Sequence, residues 1–125
     1  MIAIIDYGAG NIFSVKNALD YLGVENKLTA DKNEICAADE IILPGVGAFP
    51  WAMKMLRDSG LVDTIREEAR KKPFLGICLG MQLIFDKGYE FEETDGLRLI
   101  GGKVEKIDRK DMIIPHMGWN ELVIN

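Results

Sequence analysis

Residues 74–82 read Phe74-Leu75-Gly76-Ile77-Cys78-Leu79-Gly80-Met81-Gln82. Phe74 to Ile77 is a short apolar run of the kind that forms a buried strand, and Leu79 opens a mostly apolar helical stretch. A cysteine framed by Gly76 and Gly80 at such a junction is the sequence form of a nucleophile elbow. The sharp turn leaves no space for side chains beside the nucleophile, so its neighbours must stay small. The helix that follows turns its free N–H groups toward the sulfur, which favours thiolate and later a developing oxyanion. The expectation is a cysteine-dependent acyl-transfer enzyme, or a portion of one.

Outward from this junction, short apolar runs alternate with amphipathic stretches, which argues for α/β organisation. Ile2 to Ile5 is the continuous apolar run of a central parallel strand. After the Gly8-Ala9-Gly10 turn, Asn11 caps a helix with Ile12, Val15, Leu19 and Leu22 on one face, and Gly23 stops it. Glu25–Thr29 and Ile41–Leu43 read as the second and third strands. Phe49–Ser59 reads as a helix with Trp51, Met55 and Leu56 inward. Leu61–Lys72 reads as another, supported by Glu67–Lys71 and Glu68–Lys72 pairs and closed by Pro73. The elbow helix is expected over Leu79–Asp86 with Gly88 as its C-cap. Beyond Tyr89, Leu97–Ile100, Gly102–Ile107, Met112–Ile114 and Glu121–Ile124 read as short strands.

The chain has 125 residues, 48% of them hydrophobic, which suits one domain with a real core. Its net charge of −5 argues against non-specific nucleic-acid binding, and Arg70, Lys71 and Lys72 are offset by Glu67 and Glu68. No signal peptide opens the sequence, and the uncharged stretch around Ile41 to Met53 is interrupted by Pro44, Gly45, Gly47 and Pro50, so no membrane span is expected. Two cysteines are too few for a disulfide framework and suit a reducing cytoplasm, with Cys36 a small packing residue. No ligand cluster implies a metal, and no organic cofactor is expected.

Four motifs together carry a resemblance. They are Asp6-Tyr7-Gly8-Ala9-Gly10-Asn11, Pro44-Gly45-Val46-Gly47-Ala48-Phe49, Gly76-Ile77-Cys78-Leu79-Gly80-Met81-Gln82 and Pro115-His116-Met117-Gly118-Trp119-Asn120. The sequence resembles the glutaminase subunits of imidazole glycerol phosphate synthases, which are class I, triad-type glutamine amidotransferases. The resemblance implies a three-layer α/β sandwich with a mostly parallel, flavodoxin-like sheet and a site at the carboxyl ends of its strands. It implies glutamine as substrate, hydrolysed to glutamate and ammonia through a thioester. The ammonia would pass to a (β/α)8-barrel cyclase partner that makes imidazole glycerol phosphate in histidine biosynthesis.

Cys78 is then the nucleophile. In an elbow the N–H after the nucleophile, here that of Leu79, is one oxyanion donor. The resemblance assigns the second to the Pro44-Gly45-Val46-Gly47 loop, with the Val46 N–H as candidate. A strand ending in Pro-Gly-x-Gly independently allows close backbone approach to a ligand, although an ordinary strand-end turn would look the same. Gly45, Gly47 and Gln82 are the implied substrate-binding residues. His116 is the chain's one histidine, but its surroundings do not match the family's His-Pro-Glu-type string. The resemblance instead turns His116, Met117, Trp119 and Asn120, with Asn11, toward the partner.

Nothing in the sequence matches the family's triad histidine or glutamate. Residues 1–125 therefore read as the N-terminal portion of an amidotransferase domain, expected to be inactive or weakly active alone. A truncated product, half of a split protein and a degenerate homologue all fit. Rival readings are an amidotransferase subunit for another acceptor, such as anthranilate, and a non-catalytic partner-binding subunit.

Overall fold

The computed structural model describes residues 1–124. Along the chain run β1 (Ile2–Ile5), α1 (Ile12–Tyr21), β2 (Asn26–Thr29), α2 (Lys32–Ala37), β3 (Glu40–Leu43), α3 (Phe49–Asp58), α4 (Val62–Glu68), β4 (Phe74–Gly76), α5 (Leu79–Leu83), β5 (Phe85–Gly88), β6 (Thr94–Asp95) and β7 (Ile100–Val104). β1 to β4 form a wholly parallel sheet in the order β2-β1-β3-β4. That is the flavodoxin-like order, and it sets the strand ends Asp6–Asn11, Pro44–Gly47 and Ile77–Cys78 along one side. A small second sheet has the order β6-β5-β7.

Register decides what each sheet face buries. Ile4 pairs with Ile42 and Ile42 with Leu75, while Ile41 pairs with Phe74 and Leu43 with Gly76. Successive side chains alternate between faces. One face carries Ile5, Ile41 and Leu43 into the main core with Ile35 of α2, Phe49, Ala52, Met53 and Leu56 of α3, and Ile65 of α4. Full burial of such side chains stabilises the fold by roughly 1.5–3 kcal/mol each. The other face is covered by α1, which contributes no fully buried residue, and Leu75 on β4 stays 54% exposed.

Several elements differ from the sequence expectation. α2 was not foreseen. It buries only Ile35, yet Asp31 caps it by accepting from Asn33 N–H (2.8 Å) and Glu34 N–H (3.1 Å). The buried stripe of α3 is Phe49, Ala52, Met53 and Leu56, whereas Trp51 faces outward. α5 stops at Leu83 because the next carbonyls are claimed from elsewhere. Leu83 O accepts from Leu97 N–H (2.7 Å), Ile84 O from Leu99 N–H (2.8 Å) and Phe85 O from Arg98 N–H (3.1 Å). Gly88 is no helix cap. It ends β5, where a Cβ would stand 2.6 Å from the Phe49 ring. Cys36 is exposed rather than packed. Residues 105–124 are exposed throughout, so the strands expected over Met112–Ile114 and Glu121–Ile124 do not form.

The pairs read at the end of α4 do form, and they join two layers. Glu68 is buried, with Lys72 Nζ at 2.8 Å and Lys71 Nζ at 3.0 Å. Lys72 Nζ also donates to the carbonyls of Ile35 (3.2 Å), Cys36 (2.9 Å) and Ala38 (2.7 Å), closing the end of α2. The Lys72 hydrogen bond, then that of Lys71, holds the Glu68 carboxyl below the usual range. A depressed folded value means the pair stabilises above the ordinary glutamate value and loses that contribution as pH falls through the folded one. The melting-point gap between the native chain and Glu68→Gln should therefore be wide at neutral pH and narrow on acidification. A gap independent of pH would contradict the assignment.

Candidate active site

Cys78 sits between β4 and α5 with φ 54° and ψ −117°. A non-glycine residue in the left-handed half of backbone space is strained, and such strain concentrates at functional positions. Three glycines make the junction possible. A Cβ on Gly76 would stand 2.6 Å from Met81 Cα, and one on Gly45 2.7 Å from Gly80 N. A Cβ on Gly80 would overlap the Leu43 carbonyl oxygen outright. Backbone thus meets backbone at the elbow, which presents an exposed Cys78 at the end of the sheet.

α5 has five residues, not the eight expected, so its dipole is short. Met81 and Gln82 N–H both donate to the Cys78 carbonyl (3.0 and 3.2 Å), and Gly80 N–H to that of Ile77 (3.0 Å). The Leu79 N–H makes no backbone hydrogen bond among the described residues, and neither does that of Val46.

The strand-end loops converge on this junction. Gly45 is packed against Leu79 and Gly80, and a Cβ on Gly10 would stand 3.1 Å from Gly45 N. The buried Tyr7 hydroxyl donates to Pro44 O at 2.9 Å. Burial pushes its pKa up to about 12. Val46 is exposed, and Gly47 takes φ +108°, a conformation for which glycine is suited.

Gly47 and Gln82, both singled out in the sequence, line one cavity of about 460 Å3. Tyr89, Glu90, Glu105 and Lys106 complete its polar lining. Glu90, Glu105 and Lys106 give this cavity groups of both charge signs, and Cys78 is not among its lining residues. Glu90 was not foreseen. Its Oε2 accepts from Phe49 N–H at 2.8 Å, 41 residues away, at the start of α3. Nothing local separates Glu90 from Glu92 or Glu93, and only the fold selects it.

The fourth motif stays apart from these contacts. His116, Met117, Trp119 and Asn120 are exposed, and His116 Nε2 lies 2.7 Å from Asn120 Nδ2. No hydrogen bond joins His116 to Cys78 among the described residues. Asn11 is exposed and caps α1, its Oδ1 accepting from Ser14 N–H at 3.3 Å. Among the described residues no cluster of three or more His, Cys, Asp or Glu could hold a metal, and no helix is long and apolar enough to cross a membrane.

The family model described as glutamine amidotransferase class-I matches residues 3–125. The chain belongs to the class-I glutamine amidotransferases. It is 54% identical over 123 residues to "Imidazole glycerol phosphate synthase subunit HisH" of Bacillus thuringiensis (strain Al Hakam), which covers 98% of this chain and 58% of that relative. The protein of the same name from Listeria monocytogenes serotype 4b (strain F2365) is 52% identical over 126 residues, 99% of this chain and 61% of the relative. These relatives carry the name that the four motifs suggested. The chain spans about three fifths of their length. Among solved structures, a crystal structure of a glutamine amidotransferase superposes with a TM-score of 0.63 at 24% identity, over 78% of this chain and 52% of that one. At that identity the likeness concerns the fold.

Proposed function

We propose that this chain is the nucleophile-bearing portion of a glutaminase that supplies ammonia for imidazole glycerol phosphate formation in histidine biosynthesis, working in the cytoplasm. The carrying observation is the exposed, strained Cys78 with the Pro44–Gly47 loop packed against Leu79 and Gly80. Its Sγ would attack Cδ of the glutamine side chain, and the carbonyl oxygen would become an oxyanion held by the Leu79 and Val46 N–H groups. Collapse of that intermediate expels ammonia, which leaves with a proton, and forms a glutamyl thioester. Water then releases glutamate and returns the thiol. Gly45 gives the loop its close approach, Gly47 gives it the turn at φ +108°, and Gln82 orients the bound amino acid beside Glu90.

Among the described residues no group is hydrogen-bonded to the Cys78 thiol that could take its proton. Loss of a triad member typically costs orders of magnitude in rate. Weak turnover and intact covalent capture are thus the expected behaviour. Exposed His116, Met117, Trp119, Asn120 and Asn11 are the surface we assign to a (β/α)8-barrel cyclase partner, tryptophan being enriched at such contacts.

The test is capture by the chloroketone analogue of glutamine, followed by intact mass and peptide mapping. One adduct on Cys78, protected by glutamine, supports the reading. No adduct, or equal labelling of Cys36, would overturn it. A cyclase subunit should bind the native chain and bind Trp119→Ala at least about tenfold more weakly. Binding without capture would favour the non-catalytic subunit instead.

A further inference from the structure

We propose that Tyr7 and Glu90 are positioning residues that clamp the two ends of the loop Pro44–Phe49, confining its backbone reorientation to the peptide units between Gly45 and Ala48. The proposal rests on the reading that the Val46 N–H serves the oxyanion.

At the near end, the Tyr7 hydroxyl holds the Pro44 carbonyl at 2.9 Å, and Tyr7 is itself buried. That bond fixes the peptide unit joining Pro44 to Gly45. At the far end, the Glu90 carboxylate accepts from Phe49 N–H at 2.8 Å and fixes the unit joining Ala48 to Phe49. Charge-assisted bonds of this kind are the stronger ones. Ala48, the residue before α3, supplies no side-chain cap, so the Glu90 oxygen occupies the place a cap would take.

Between the clamps the loop is free. Neither the N–H nor the C=O of Val46 or Gly47 enters a backbone hydrogen bond among the described residues. Val46 is 60% exposed, and Gly47 has φ +108°. An oxyanion donor is effective when it is already aimed before charge develops, and small misplacements are costly. Two fixed ends around three adjustable peptide units supply that aim without burying the donor. Glu90 also lines the cavity with Gln82, so the far clamp adjoins the proposed substrate space.

The test separates this role from simple helix capping. In a Cys36→Ala background, Cys78 is alkylated with a small chloromethyl ketone lacking an amino group, and separately with iodoacetamide. Sγ adds to the ketone carbonyl to give a tetrahedral alkoxide, then migrates to the adjacent methylene as the carbonyl re-forms and chloride leaves. Iodoacetamide loses iodide by direct displacement at carbon and needs no oxyanion donor. Tyr7→Phe and Glu90→Ala should each lower the ketone-to-iodoacetamide rate ratio by about tenfold or more. Glu90→Gln keeps an acceptor for Phe49 N–H and should recover the ratio. Hydrogen exchange at the Phe49 amide should accelerate in Glu90→Ala and not in Glu90→Gln. An unchanged ratio in both variants overturns the proposal, and a loss in only one overturns its two-ended form. If the native chain fails to capture the glutamine chloroketone, the functional reading fails. The Phe49 exchange would still report whether the far clamp exists.

Discussion

Replacing Cys78 with alanine should abolish capture of the glutamine chloroketone, while Cys36→Ala should leave its rate close to that of the native chain. Both thiols are exposed, so access to reagent does not separate them. Their surroundings do. Cys36 lies near the end of the six-residue α2, where the Cys36 carbonyl accepts from Lys72 Nζ at 2.9 Å. Its neighbours are ordinary helix. Cys78 stands at φ 54° directly before the free Leu79 N–H, with the unbonded Val46 N–H in the loop packed on the same turn. A reagent that passes through an alkoxide should therefore prefer Cys78 over Cys36 by roughly a hundredfold, the scale of one oxyanion donor. Removal of the nucleophile in enzymes of this logic costs about 10^6 in rate. Residual glutamine hydrolysis in Cys78→Ala should thus fall to background. Mass spectrometry of the two single variants decides the matter. Persistent labelling of Cys78→Ala would place the reactive centre elsewhere.

The parts of this site that sequence could reveal are the ones encoded locally. Gly76, Cys78 and Gly80 announce the elbow because spacing alone states where side chains must be small. Gly45 announces a close backbone approach for the same reason, whereas Gly47 has open space around it and is called for by its φ of +108°. Ile2–Ile5 and Ile41–Leu43 are legible as strands because a parallel strand covered on both faces is apolar throughout. Long-range partners are not legible in this way. Tyr7 meets Pro44 across 37 residues and Glu90 meets Phe49 across 41, and neither pairing leaves a periodic trace. The same limit explains the end of α5. Its apolar sequence could continue as helix to Asp86, but the carbonyls of Leu83, Ile84 and Phe85 go to residues 97–99 instead. α2 escaped notice because one buried side chain, Ile35, makes no stripe. The inward position expected for Trp51 fails because Ala52 and Met53 take the buried stripe and leave it outside. The apolar residues at 112–114 and 121–124 have strand-like composition without a packed partner among the described residues, and composition alone does not make a strand.

Gly80→Ala should destabilise the chain by at least about 3 kcal/mol, against the direction that helix propensity predicts. Position 80 lies in the first turn of α5, where alanine would by itself be favoured over glycine by about 1 kcal/mol. The steric effect is opposite in sign and larger. The new Cβ would overlap the Leu43 carbonyl oxygen and stand 2.8 Å from its carbonyl carbon. Those atoms are backbone, and the same oxygen accepts from Ile77 N–H at 3.0 Å. No rotamer change can relieve the clash. α5 would have to withdraw from β3, and it carries the buried Leu79 and Leu83 into the core. Partial loss of two such side chains accounts for several kcal/mol. For a domain of this size the melting midpoint should drop by roughly 10 °C or more. Gly118 provides the control. It is exposed, nothing lies within 4 Å of a Cβ built there, and Gly118→Ala should change stability by less than about 0.5 kcal/mol. Thermal and denaturant unfolding of the two variants measure both values. Equal stability of Gly80→Ala and the native chain would mean that α5 does not lie against Leu43 as described, and the elbow would lose the contact that fixes Cys78 above the sheet.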